Sequence, residues 1–364
     1  MTHAEASRTV AVIYNPVELG GDAVVRGVID GATEVHDTLS ALGHRVSLLR
    51  VDEGVRPFIE ALEALQPDVV FNLCEGYREW SGGESCIAGL LDLLGIPYTG
   101  SGPMALGLAL DKPLSKALFV ANEIPTPPFV VYRDQPSSAP PLRFPLMLKL
   151  AGEDASLGIT ADNVAGDDAS FLKRLQELLD EYQAPVLVEE FIDGREFAVP
   201  MLDGQPLLVE EIEFHVEPRI VGFRAKWEAG SPEYRGTTPL FAPVITDQQR
   251  DRLMALAVAV WNAVGMRDYA RVDFRMDADG RIYVLEANPN PDISAGSGYR
   301  RSLDAAQIAY ADFIVRLVEN AARRRLVENA ARRRLVENAA RRRLVENTAR
   351  RRVVENARSR RITR

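Results

Sequence analysis

The segment YARVDFRMDADGRIYVLEANPNP (269–291) carries the densest set of residues that could do chemistry. Asp279-Gly280 is a strong turn signal between two β-forming runs, which predicts a hairpin. With the loop centred on that dipeptide, Asp273 falls opposite Glu286 and Arg271 opposite Asn288. Alternation puts these four side chains on one face and Ala270, Val272 and Phe274 on the other. A three-residue loop would slip the register by one and separate the pairs. Two carboxylates facing each other across a strand pair stand about 5 Å apart and repel. A fold tolerates that if a cation lies between them, or if one acid keeps its proton at a raised pKa. A solvated hairpin is the plain alternative, and apolar residues on both sides of the site speak against it. Two carboxylates and an amide oxygen suit a hard ion such as Mg²⁺, or Mn²⁺, that fills its remaining positions with water and phosphate oxygens.

Elements that could hold such a hairpin are legible on both sides of it. TVAVIYN (9–15), RVSLLRV (45–51) and DVVFNL (68–73) read as strands, separated by helical patterns ending at Gly43 and covering 56–65. Another helix over 84–94 stops at Gly95. Apolar strands alternating with helices imply an α/β, doubly wound parallel sheet, with ligands at the strands' carboxyl ends. A Pro-rich stretch, 125–145, reads as a link to a second unit. That unit has strand signals at 146–150, 186–191, 197–202 and 207–214, and helices near 168–182 and 247–264, an α+β pattern.

Bulk properties narrow the function classes. Hydrophobic residues make up 46% of the 364 and charged ones 26%, ordinary for a globular protein. No apolar run reaches the roughly 20 residues that cross a bilayer. MTHAEASR lacks the apolar core of a secretory signal. Cys74 and Cys86 form no CxxC pair and read as buried structural thiols in a reducing, cytoplasmic setting. There is no GxxxxGK[ST] loop, HExxH or GxSxG, and GSG at 100–102 is too short for a dinucleotide fingerprint.

From Leu317 the chain repeats LVENAARRR every nine residues, with 16 arginines against five glutamates. The preceding 316 residues hold 27 basic and 47 acidic side chains, so nucleic acid is not the ligand of this acidic body. Nine residues at 100° leave a half-turn remainder, so successive Leu-Val pairs fall on opposite helix faces. This predicts a solvated helix or disordered arm with no continuous stripe to bury, dispensable after Arg316. A basic arm for acidic partners or membranes is the alternative.

ARVDF followed by VLEANPNPDIS resembles the metal-binding end of ATP-grasp enzymes, in the D-alanine–D-alanine ligase-like branch. In the same order, GIPYTGSGPMALGLALDKPLSK (95–116) is similar to the entry to the ATP-grasp domain, and FPLMLKLAGEDASLGI (144–159) to its phosphate-covering loop. VLVEEFIDGREFAV (186–199) is similar to the adenine and ribose segment, and RAKWE (224–228) to the second flexible loop. The resemblance spans about 9–316. It implies an N-terminal pre-ATP-grasp domain (8–103), an ATP-grasp domain (104–316) with a lid over about 116–190 and a metal-binding part over about 191–316, and a tail (317–364) outside both.

The resemblance also implies roles. Lys112, Lys149 and Lys226 would contact ATP phosphates. Glu189, Phe191 and Ile192 would hold adenine, and Glu196 the ribose. Asp273, Glu286 and Asn288 would ligate one or two Mg²⁺. Arg271 would stabilise a tetrahedral oxyanion, and Ser297 would meet a substrate carboxylate. The implied reaction joins a carboxylate to an amine through an acyl phosphate, releasing ADP. Its substrates would be amino acids or peptides, and relatives often dimerise through the first domain. A small-molecule kinase and a nucleotide-binding regulator without turnover are the alternatives. The substrate end departs from the branch: NLCEGYREWSGGES (72–85) replaces its His-Gly segment, Ala155 and Trp227 stand where its bridging serine and tyrosine belong, and Asp292 replaces a glycine. Glu75, Glu84 and Asp292 are the substrate candidates there.

Overall fold

The computed structural model describes residues 7–16, 21–153, 158–222, 224–225, 228 and 230–325, with the backbone alone over 21–26. β1 (Thr9–Tyr14), α1 (Gly21–Ala41), β2 (Arg45–Arg50), α2 (Val55–Leu65), β3 (Val69–Leu73) and α3 (Gly83–Leu94) build the first unit. Its strands pair in parallel in the order β2-β1-β3, as alternating strands and helices require. β1 and β3 are buried on both faces, which explains their continuous apolar runs. Cys74 closes β3 at zero exposure, and burial pushes its thiol pKa well up. Cys86 on α3 is exposed, which corrects the reading of both thiols as buried.

α4 (Pro103–Leu110) and α5 (Lys112–Ala121) lead into a four-stranded sheet ordered β4-β7-β5-β6. Its members are β4 (Phe129–Tyr132), β5 (Leu146–Leu150), β6 (Val164–Ala165) and β7 (Val186–Glu190). α6 (Asp168–Tyr182) starts at a capping box of Asp167 and Ser170, and packs Phe171, Leu175 and Leu178 beneath this sheet. The Pro-rich stretch is therefore more than a linker, because it contributes β4. That strand lies at the sheet edge, where flanking prolines cost no ladder bond.

The larger sheet runs β11-β10-β8-β12-β13, with β9 beside β8. It comprises β8 (Gly194–Leu202), β9 (Gln205–Pro206), β10 (Glu210–Phe214), β11 (Thr237–Leu240), β12 (Tyr269–Asp277) and β13 (Ile282–Asn288). A short α7 (Pro232–Arg235) precedes β11, and α8 (Asp247–Val264) covers one sheet face. Val199, Met201, Val272 and Phe274 pack there against Leu253, Leu256 and Val260. The opposite face packs Leu202 and Tyr269 into a second core at one end and carries polar side chains beyond them.

α9 (Gly298–Ala305) and a helix α10 over 310–325 close the chain. The first copy of the repeat belongs to α10. Leu317, Val318 and Ala321 lie in the core with Val10, Val12, Tyr269, Tyr299 and Phe313. Asn320 donates to Asp203 Oδ1 (2.6 Å), and Arg324 donates to Tyr98 O (2.7 Å) and to Asp268. The expectation that the repeat buries no face fails for this copy. A half-turn remainder scatters apolar pairs only when copies follow one another, whereas a single copy needs one face. The later copies, 326–364, lie outside the described residues.

Candidate active site

β12 and β13 bring Arg271 opposite Asn288 and Asp273 opposite Glu286. The turn differs from the two-residue loop that the pattern suggests. Asp277 N–H donates to Arg281 O and Gly280 N–H to Asp277 O, with Gly280 at φ 81°, leaving 278–280 as the loop. That shifts the pairs near the turn, such as Met276 with Ile282. A bulge between Asp273 and Phe274, with Leu285 as the extra residue, shifts them back. Two one-residue changes cancel at the four chemical positions.

The active face continues across the sheet. Ala198 on β8 pairs with Asp273, and Glu210 on β10 pairs with Ala198, forming a row Glu210–Ala198–Asp273–Glu286. Arg271 grips Asp273 through two bonds, Nε to Oδ1 at 2.7 Å and Nη2 to Oδ2 at 2.8 Å. Burial opposes the charge on Arg271, but Asp273, Glu286 and Glu210 outweigh it and raise its pKa above the ordinary guanidinium value. Burial pushes Glu210 up to about 7, against the pull of Arg271 and the bond from Ser302 Oγ at 3.2 Å. Among the described residues no three His, Cys, Asp or Glu side chains form a metal cage. Asp273, Glu286 and Asn288 instead offer two carboxylates and an amide, a donor set that fits Mg²⁺ sharing its shell with phosphate and water.

Basic residues flank this row. Lys112 begins α5 behind the Asp111 cap, and its ammonium stands 2.6 Å from Glu153 O and 3.9 Å from Glu286 Oε2. Lys149 on β5 pairs with Glu189 Oε1 on β7 at 2.7 Å. Lys116, one turn beyond Lys112, takes Glu189 Oε2 at 2.7 Å. Burial opposes ionisation of Glu189, yet the two ammoniums hold its carboxyl at about 2. Phe191 and Ile192 follow on the connection to β8. Arg275 lies over the Phe191 ring, donates to Ile192 O at 3.3 Å, and grips Glu196 Oε2 at 2.9 and 2.6 Å.

At the other end, the neutral side chain of Asn290 is the junction. Its amide donates to Glu84 Oε1 (2.8 Å) and Cys74 O (3.1 Å), and its Oδ1 accepts from Tyr269 (2.6 Å). Glu84 is thus bonded to the loop that follows β13, while Glu75 is exposed nearby in sequence, its N–H donating to Asn15 at 2.9 Å. Ser297 caps α9 by accepting from Arg300 N–H at 3.2 Å, and Asp292 is an exposed turn residue accepting from Ser294 N–H at 2.8 Å. Lys226, Ala155 and Trp227 lie outside the described residues.

Four residues of this constellation escaped the sequence reading. Lys116 and Arg275 carried a usable signal: one stands four residues after Lys112 on a helix, the other two after Asp273 on a strand. Asn290 in NPNP was masked by its neighbour Asn288. Glu210 had no signal, since its burial depends on Ser302, 92 residues away.

Comparison with known proteins bears on the whole arrangement. The family described as D-ala D-ala ligase C-terminus matches residues 118–319. A D-alanine–D-alanine ligase of Rhodospirillum rubrum is 32% identical over 309 residues, covering 84% of this chain and 97% of that protein. An uncharacterised protein of Sinorhizobium fredii is also 32% identical, over 80% of this chain and 88% of its own. The solved D-alanine–D-alanine ligase of Bacillus anthracis shares the fold, with a TM-score of 0.73 at 24% identity, covering 89% of this chain and all of that one.

Proposed function

The chain belongs to the D-alanine–D-alanine ligase family of ATP-grasp enzymes, and from that premise we propose how its own residues serve an ATP-dependent, ADP-forming carboxylate–amine ligation. Lys112 and Lys149 bind the nucleotide's phosphates as point charges. Phe191 and Ile192 border adenine, and Glu196, oriented by Arg275, accepts from the ribose. Asp273, Glu286 and Asn288 hold Mg²⁺ or Mn²⁺, which when bound neutralises charge on the phosphoryl oxygens. Arg271, gripped by Asp273, presents a fixed guanidinium where negative charge develops as an amine attacks an acyl phosphate. Lys226 is assigned to the same phosphates by its motif alone.

One observation supports the reading most: Lys112 Nζ stands 3.9 Å from Glu286 Oε2, so the cation proposed for phosphate and an anion proposed for the metal lie side by side. The kinase and non-turnover readings give way, because the relatives with a named activity are D-alanine–D-alanine ligases. The small-molecule substrates are a carboxylate and an amine, amino acids or peptides by class. Glu75 and Glu84 meet the first of them and Ser297 the second, with Asp292 at the rim. Incubation with Mg-ATP and pooled amino acids should release ADP and phosphate together with a new amide mass. A phosphorylated product without an amide would defeat the proposal.

A further inference from the structure

Glu189 is bound by two lysines, and only one of them has an evident task. Lys149 is 12% exposed in its side chain, and the nucleotide reading assigns it to the phosphates. Lys116 is 1% exposed, too deep to meet a phosphate itself. Its ammonium donates to Thr126 Oγ1 at 2.6 Å, pairs with Glu189 Oε2 at 2.7 Å and lies 5.3 Å from the Phe129 ring centroid. Thr126 Oγ1 in turn donates to Val284 O at 2.9 Å, on the strand that bears Glu286 and Asn288. Lys116 therefore joins the strand carrying Glu189 to the strand carrying the metal ligands.

A buried carboxylate holding a single ammonium grips it hard, since separating the two leaves a bare charge in a poorly solvated place. Lys149 could then reach a phosphate only by abandoning Glu189 uncompensated. With Lys116 fixed on the second oxygen, Glu189 stays balanced when Lys149 turns away. We propose that Lys116 is a positioning residue for nucleotide binding, acting through Glu189 to keep Lys149 available to the phosphates. The inference rests on the nucleotide reading of this site and adds to it a residue that touches no ligand. Burial holds the pKa of Lys116 below the ordinary ammonium value, with Glu189 opposing that fall.

The test is binding of the non-hydrolysable analogue AMP-PNP with Mg²⁺ by calorimetry, on the full chain and on K116M, E189Q and K116M/E189Q. K116M should bind about tenfold or more weakly than the full chain, whereas the double variant should bind about as well as E189Q alone, because the competing carboxylate is gone. Melting temperatures of the same proteins separate this from unfolding, as a purely structural lysine weakens binding equally in both backgrounds. If K116M fails to fold, E189Q against the double variant still decides: the inference requires Lys116 to matter little once Glu189 is neutral. Equal losses in both backgrounds, or unchanged binding by K116M, would overturn this inference alone. Absence of binding by the unsubstituted chain would overturn the nucleotide reading with it.

Discussion

The hairpin β12–β13 and the helix α10 are both announced by periodic sequence, yet only the hairpin's pattern told where its side chains go. In the hairpin, Arg271, Asp273, Glu286 and Asn288 share a face because strand alternation and a local turn set their directions. In α10, Leu317, Val318 and Ala321 are buried because β1 and the rings of Tyr269 and Tyr299 happen to meet them. Arg324 finds Tyr98 226 residues away. Local periodicity reports a direction in space only when the partner is also local. The comparison can be broken from either side.

The largest effect should come from the helix. Truncation after Arg316 removes three buried apolar side chains and leaves Asp268, 2% exposed in its side chain, without Arg324. Loss of that burial and of one partner of a buried pair should cost about 5 kcal/mol, a large part of a domain's stability. Truncation after Arg325 should cost nothing measurable. Urea unfolding of both proteins checks the pair, and a stable, active product ending at Arg316 would erase the contrast.

Next comes Asp273→Asn, which keeps the hairpin's shape and changes only its charge. ADP formation should fall about a thousandfold, roughly 4 kcal/mol at the transition state, with a smaller fall in stability because Arg271 loses one partner but keeps Glu286 and Glu210 as counter-charges. A loss of fold rather than of turnover would mean that the face serves structure first.

The same contrast explains how much of the site was legible. Strands over 146–150 and helices over 168–182 and 247–264 matched the pattern because their apolar spacing and caps are local. β4 was missed because prolines around 125–145 mark a boundary, and only pairing with β7 turns that boundary into an edge strand. Glu210 is a starker case. It lies in the same row as Asp273, but its environment comes from Ser302 and Arg271.

Glu210 gives the third prediction, because tertiary burial leaves a signature in pH. Its folded pKa is raised to about 7 from an ordinary 4.5, so the folded chain holds this proton more tightly than the unfolded one. The stability it contributes is full below about pH 4.5 and is lost as pH rises through 7. Without nucleotide or divalent ion, Glu210→Gln should remove about 2 kcal/mol of the fall in unfolding free energy between pH 5 and pH 8. An unchanged difference would mean that the carboxyl ionises freely and is not governed by its distant neighbours.

The smallest effect returns to the hairpin and asks how its register is kept. Gly280 sits at φ 81°, where a side chain is strained, and among the described residues only Gln249 Nε2, at 3.5 Å, stands near an added Cβ. Gly280→Ala should therefore cost about 1 kcal/mol through backbone strain alone. The three-residue loop has one alternative, the two-residue turn on Asp279-Gly280, and that turn also needs a positive φ at Gly280. Alanine thus offers no relief by switching loops, and the Leu285 bulge should stay where it is. ADP formation should be unaffected, because Asp273 and Glu286 lie beyond the bulge, which isolates their pairing from the turn. A fall in turnover larger than the fall in stability would show that the bulge transmits the turn to the site, and the hairpin would then be as dependent on distant geometry as the helix.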